Sequence, residues 1–374
     1  MAFGNLEGLD GIFSALIPRW LEKNYLSLWQ KQNPVWQILY EKGKVLDRGW
    51  GSVLTEPFRV PSPNAGSGAK RIGSNVTQQL EPVIPGGMTS ATFHAPLVAF
   101  DYALSIWDLM NLGTETAMAD FVQAQLEQNL DSFFADLEQD MWGDPANSLF
   151  NGSSDTNLTS ILTMINSGGP NATSAVSYPP FLPEQQSVPI VKTSGSTAQT
   201  IVGGLNRADT NGVWWSCPVR YPTTPATLTV QELDRTYRMA VMNNVEPDLI
   251  VVHRDLFSVL QNLSTFGGQN GGMLVNDPER ARFGHKRLYY LNAEIVHDDN
   301  IPTQMYLSGT STAVNHQIFV LNTKYIQFYM SGKKPEIRPF PNKLLREFLG
   351  VLRIALTMAA SGRFHARNCN IAPP

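Results

Sequence analysis

Three short segments carry the residue types that most often do chemistry. His253-Arg254-Asp255-Leu256 has the order of a kinase catalytic loop, where the aspartate takes the proton of an attacking hydroxyl. That pattern needs an asparagine five residues after the aspartate. Here Asn262 comes seven after Asp255, and no Asp-Phe-Gly triplet or matching glycine-rich loop accompanies it, so a polar turn that starts a helix is the better reading. Gly66-Ser67-Gly68-Ala69-Lys70 has glycines and a lysine as in a phosphate loop, but Arg71 stands where Gly-Lys-Ser/Thr would be completed, which leaves a hairpin tip. His297-Asp298-Asp299 offers oxygen ligands to a divalent cation. Adjacent side chains on an extended chain point apart, which favours a solvated turn before Asn300-Ile301-Pro302.

The remaining groups form no recognisable constellation. His94, His285, His316 and His365 have no carboxylate or cysteine partner at a known spacing, and no Gly-x-Ser-x-Gly elbow occurs. Cys217 and Cys369 are far apart and without neighbouring ligands, so they read as buried or incidental thiols rather than a disulfide or zinc framework. The expectation is a protein that is not an enzyme, with no cofactor and no metal. An α/β enzyme of the cytosol with a site assembled from distant residues is the rival from another class, since such a site leaves no local spacing to read.

Composition narrows the partners. With 374 residues, 43% of them hydrophobic, the chain can bury two domains, and a net charge of −4 gives no footprint of a dedicated nucleic-acid binder. Any contact with DNA is expected to be non-specific. No basic region precedes the apolar residues at the N-terminus, and no stretch reaches the length of a membrane span, which predicts a soluble protein made in the cytoplasm with no membrane contact. Five Asn-x-Ser/Thr sequons, at Asn75, Asn151, Asn157, Asn171 and Asn262, then read as polar loop chemistry.

The elements that would position such groups are unusual in proportion. Residues 113–142 predict one long amphipathic helix, with Thr114 as N-cap and Gly143 as the stop. Met118, Phe121, Val122, Leu126, Leu130, Phe133, Phe134, Leu137 and Met141 recur at steps of three and four, and Asp120, Gln123, Glu127, Gln128, Asp131 and Asp136 take the other face. Its length would be roughly 43 Å, a spine rather than an active-site element. Residues 18–42 form an aromatic arm split into two short helices at Asn33-Pro34. Residues 50–105 alternate out to a polar tip and back, a two-stranded excursion too long to stand alone.

Farther along, Thr229-Val230-Gln231-Glu232 is a capping box for a helix bearing Leu233, Tyr237, Ala240 and Val241 on one face. Residues 248–252 read as a buried strand followed by a helix from Asp255, an α/β arrangement. The segments RLYYLNAEIVHDD, QMYLSG, HQIFVLNTKYIQFYM and the run from Leu344 to Ile371 are strand-rich.

This order of elements resembles the tailed-bacteriophage major capsid proteins of the Hong Kong 97 type. TSATFHAPLVAFDYALSIWDLMNLG leading into the acidic spine, then GGLNRAD, EPDLIVVHRDLF, LNAEIVHDDNIP, IFVLNTKYIQFYM and RIALTMAASGRFHARNCNI, carry the resemblance over most of residues 48–372. It implies an α+β capsid fold: an N-terminal arm (1–47), an extended β-hairpin loop (48–105), a peripheral domain with the spine helix (106–150), a mainly axial α/β domain (151–340) with a variable insertion at 170–200, and C-terminal strands (341–374) returning to the peripheral domain. The implied function is self-assembly, through hexamers and pentamers, into the icosahedral shell of a virion built in the host cytoplasm around double-stranded DNA. Portal, decoration and separate scaffolding proteins are the implied partners; with Met1 and a short arm, no long removable scaffold segment is expected. An encapsulin-type cellular compartment shares the fold and is the nearer alternative.

The family's Lys-to-Asn crosslink between subunits has one candidate lysine here, Lys70, and no matching asparagine, so no crosslink is expected. Trp20, Trp29 and Trp36 carry large apolar area that either packs on its own domain or covers a neighbouring subunit. Arg48, Arg59, Lys70 and Arg71 are expected to meet carboxylates such as Glu127 and Asp131 across subunit contacts.

Overall fold

The computed structural model describes residues 34–42, 45–47, 53–59, 88–95, 97–105, 115–143, 159–166, 190–191, 194, 201–207, 215–222, 224–242, 244–266, 274–277, 287–307, 309–330, 336–341, 345–358 and 364–372. In chain order its main elements are α1 (Pro34–Glu41), β1 (Val45–Asp47), β2 (Val53–Arg59), β3 (Met88–His94), β4 (Leu97–Ser105), α2 (Glu115–Met141), β5 (Val219–Arg220), α3 (Val230–Ala240), β6 (Leu249–Val252), α4 (Arg254–Phe266), β7 (Leu274–Asp277), β8 (Arg287–Tyr290), β9 (Ala293–His297), β10 (His316–Leu321), β11 (Ile326–Met330), β12 (Glu336–Pro341), β13 (Leu345–Met358) and β14 (Ala366–Ile371). Short turns and two- or three-residue ladders lie between them. The mixture is α+β, as expected. The chain divides into two compact units, the first from residues 1–54, 94–160 and 327–356, the second from 55–93, 161–326 and 357–374.

The first unit is built on α2 and long strands. Leu126, Leu130, Phe133, Leu137 and Met141 of α2 are buried at the expected three- and four-residue steps, while Asp120, Gln123, Gln128 and Asp136 are exposed. The acidic face is thinner than the sequence suggests, because Glu138 and Asp140 in the last turn are buried as well. β4 pairs along nine residues with β13, from Leu97 opposite Arg353 to Ser105 opposite Leu345, and β12 pairs antiparallel with β13 too. α1 starts at Pro34, where a missing N–H costs nothing, and lays Val35, Trp36, Ile38 and Leu39 into the core.

β2 and β3 form a two-stranded sheet. The outward and return segments were expected to make one continuous excursion, but the return divides into β3 and β4, and β4 takes a different partner, β13. The division falls at Ala95-Pro96, where proline has no N–H to give a ladder.

The second unit centres on a seven-stranded mixed sheet, ordered β7-β8-β9-β6-β10-β14-β5. β6 lies between β9, parallel, and β10, antiparallel, and all four of its residues are buried. α3 and α4 give Leu233, Tyr237, Ala240, Leu256 and Leu260 to a core shared with Ile250, Val252, Leu288, Ile295, Ile318 and Val320.

The C-terminal segment requires a correction. Residues 341–374 were expected to return together to the unit of the long helix; β13 pairs there with β4, but β14 enters the seven-stranded sheet between β10 and β5. All six residues of β14 are buried, including Arg367, Asn368 and Asn370. Such a strand needs hydrogen-bonding neighbours on both edges and polar partners on its faces, and this sheet supplies them.

Candidate functional site

The nine residues expected at subunit contacts fare differently. Trp20, Trp29, Arg48, Lys70 and Arg71 lie outside the described residues, and of Arg59 only its place at the end of β2 is described. Trp36 is fully buried, its ring edge-on to Phe328 of β11 with centroids 4.0 Å apart. That indole packs inside its own subunit, which removes it from the surface a neighbour could cover. Glu127 and Asp131 sit one turn apart on α2, both half-buried, and Glu127 accepts a hydrogen bond from Gln123 Nε2 at 3.0 Å.

The second unit holds most of the described polar connections. Thr229 caps α3, its hydroxyl accepting from the Glu232 amide at 3.2 Å. The reciprocal half of the capping box is redirected: the Glu232 carboxylate pairs with Arg220 at 3.0 Å and Arg235 at 3.1 Å, tying the start of α3 to β5. Asp248 accepts from the Thr323 amide at 2.7 Å and its hydroxyl at 2.5 Å, and Asn322 donates to the Glu246 carbonyl at 3.0 Å. These bonds fasten the loop before β6 to the turn after β10.

Two arginines are fully buried near the helical turn at Ile161–Met164. Arg207 donates to the carbonyl oxygens of Thr163 and Met164, and Arg367 donates to Gln317 Oε1 at 2.6 Å and to the Ile165 carbonyl at 3.5 Å. Carbonyls left over at the end of the helical turn at Ile161–Met164 thereby receive cationic donors. Burial lowers both arginines to about 10, so they stay protonated at neutral pH. The guanidinium of Arg367 also lies 5.1 Å from the Phe319 ring centre.

Three buried groups among the described residues are held out of acid–base and nucleophilic use. Burial raises Cys217 to about 11 and Cys369 to about 12, and their thiols donate to the carbonyls of Met164 and Arg220. Burial lowers His365 to about 3, with its Nδ1 accepting from the Asn322 amide at 3.1 Å. A neutral imidazole and two un-ionised thiols serve as structural hydrogen-bonding groups.

The histidine–aspartate segments resolve as turns. His253 follows β6 and Arg254 opens α4, as the sequence suggested. Asp298 is buried, not solvated, and accepts from the Asn300 amide at 2.9 Å; Asp299 pairs with Arg254 at 3.1 Å. Asn262 falls on α4 rather than in a loop. One grouping was missed: His316, at the start of β10, places Nε2 3.3 Å from Asp255 Oδ2, beside His253. Sequence spacing carries no signal of it, because β6–β10 pairing brings together residues 61 apart.

No family model matches this chain, and no curated protein does. Solved structures do. The Cyanophage A-1(L) capsid asymmetric unit contains a chain with TM-score 0.55 at 12% identity, covering 88% of this chain and 90% of that one. The capsid of a native GTA particle gives 0.52 at 10% identity, covering 89% and 90%, and that of an empty GTA particle gives 0.50 at 10%, with the same coverage. At identities this low the likeness concerns the backbone, and in its backbone this chain has the fold of phage capsid proteins, the fold anticipated from its resemblance to the Hong Kong 97 type.

Proposed function

We propose that this chain is the major capsid protein of a tailed phage, one subunit of an icosahedral shell that encloses double-stranded DNA. The observation that carries the reading is the extent of the likeness, about nine-tenths of both chains and both compact units, to proteins of phage capsids. The first unit corresponds to the peripheral domain, the second to the axial domain, and β2–β3 to the extended loop. The arm of residues 1–47 and the hairpin then rest on neighbouring copies, so that many modest contacts add up to high avidity across a closed shell. Arg48, Arg59, Lys70 and Arg71 meet carboxylates of adjacent subunits, Glu127 and Asp131 among them. A net charge of −4 suits a wall that does not hold the packaged genome. The subunit acts structurally, in the virion, after assembly in the host cytoplasm with portal and scaffolding proteins.

Expression of the full chain, followed by gel filtration and negative-stain microscopy, tests the proposal. Closed spherical particles support it, with packaged DNA in infected-cell particles marking a virus rather than a cargo compartment. A stable monomer of 41.4 kDa under all assembly conditions sinks it. Particles boiled in SDS should run as single subunits, and a ladder of higher bands would place Lys70 in a covalent crosslink after all.

A further inference from the structure

We propose that His253, Asp255 and His316 form a binding site for a transition-metal ion of the zinc class. The site lies where β6 ends, α4 begins and β10 starts alongside β6. Each residue offers one ligand atom, and the three atoms lie within 4.8 Å of one another. His253 Nδ1 is 3.2 Å and His316 Nε2 is 3.3 Å from the same oxygen, Asp255 Oδ2. Zinc with bonds of about 2.0–2.2 Å holds tetrahedral ligand atoms roughly 3.3–3.5 Å apart, which the two histidine–aspartate separations match, while the two imidazole nitrogens, within 4.8 Å of each other, would draw together.

Hydrogen bonding alone leaves one contact unexplained. His253 Nδ1 accepts the Asp255 backbone N–H at 3.2 Å, which requires a bare lone pair on that nitrogen. The same nitrogen then faces the Asp255 carboxylate, lone pair against lone pair, while His316 Nε2 approaches that oxygen from another side. A metal ion would take that single in-plane lone pair of His253 Nδ1 in place of the Asp255 N–H, and would join both imidazole nitrogens to the carboxylate oxygen they approach. Two imidazoles and one carboxylate suit zinc, cobalt, nickel or iron rather than magnesium or calcium, which prefer oxygen alone.

Surroundings permit an ion. His253 and His316 are largely covered, whereas the Asp255 side chain is about half exposed, leaving an open side for water as a further ligand. Arg254, the adjacent cation, is turned to Asp299 at 3.1 Å. The positive end of α4 opposes a cation, an effect that solvent screens where the Asp255 side chain is half exposed. A bound ion would clip the start of α4 to β10 inside one subunit. This holds for the isolated chain as for a shell, and is independent of the capsid reading.

Titration of the purified full chain with Co(II) at neutral pH tests the site. Expected is one equivalent with the visible absorption of a low-symmetry nitrogen–oxygen site, displaced by Zn(II) and not by Mg(II), with Zn(II) raising the thermal midpoint. His316→Gln and Asp255→Ala should each weaken binding by about tenfold or more and abolish that rise. The metal-free midpoint of each variant, measured beside its affinity, separates lost binding from lost folding. Absence of binding, or equal affinity in the wild type and both variants, would overturn the assignment.

Discussion

Among the described residues, helices α2 and α3 show different kinds of contact. α2 runs 27 residues with one buried stripe, no basic residue in its last turn, and hydrogen bonds within its own turns such as Gln123 to Glu127 and Ser132 to the Gln128 carbonyl. α3 runs 11 residues but has a side-chain cap, Glu232 bridging to Arg220, and Asp234 accepting from the Tyr290 hydroxyl of β8 at 2.8 Å. The long helix buries an apolar stripe along one side. The short one is pinned at several named points, as a rigid element within a sheet-based unit must be. The difference teaches that length and fixation are separate properties: the described contacts of the longer helix are chiefly apolar, and those of the shorter one are bonds to named partners.

Breaking the apolar stripe should have the largest effect. Leu130→Ala empties a fully buried position of α2 and is expected to cost roughly 2–5 kcal/mol in denaturant unfolding, whereas Gln128→Ala on the exposed side should stay within about 0.5 kcal/mol. If both cost the same, burial does not hold this helix. In the second unit Arg367→Met leaves the Ile165 carbonyl and Gln317 without their cationic donor, and a loss of about 2–4 kcal/mol is expected by the same measurement.

Acid should act on the second unit through His365. Its folded value near 3 lies below the ordinary 6.5, so the unfolded chain binds the proton more readily. Stability from keeping this ring neutral is complete above about pH 6.5 and declines as pH falls toward 3, by roughly 2 kcal/mol at pH 5. His365→Gln should flatten that part of the profile; an unchanged slope would assign it to other groups.

Smaller effects sharpen the contrast further. Thr229→Ala removes the α3 cap and should cost about 1 kcal/mol, read as a lower thermal midpoint. Leu291 occupies the two-residue turn between β8 and β9 at φ 52, exposed, where a side chain is strained. Leu291→Gly is therefore expected to stabilise by about 0.5–1 kcal/mol, and a loss would mean that this leucine contributes packing that outweighs the strain.

Much of the fold was legible because it is written in local periodicity. The stripe from Leu126 to Met141 needs only its own spacing to declare a helix, Thr229 and Glu232 announce the start of another, and four apolar residues from Leu249 to Val252 declare a buried strand. Trp36 was harder, since an amphipathic aromatic segment looks the same whether its own unit or a neighbour covers it.

What the sequence determined by itself was therefore which segments become rods and strands, along with the low charge and the missing enzymatic motifs that directed attention to a structural role. Tertiary structure decided the rest: that β14 leaves β13 for another sheet, that Glu138 and Asp140 turn inward, that Arg207 and Arg367 cap carbonyls near residue 164, and that His316 meets Asp255. Periodicity is a property of neighbours three or four residues apart. Partnership across a sheet joins residues separated by 61 or 202 positions, and only the closed backbone brings those together.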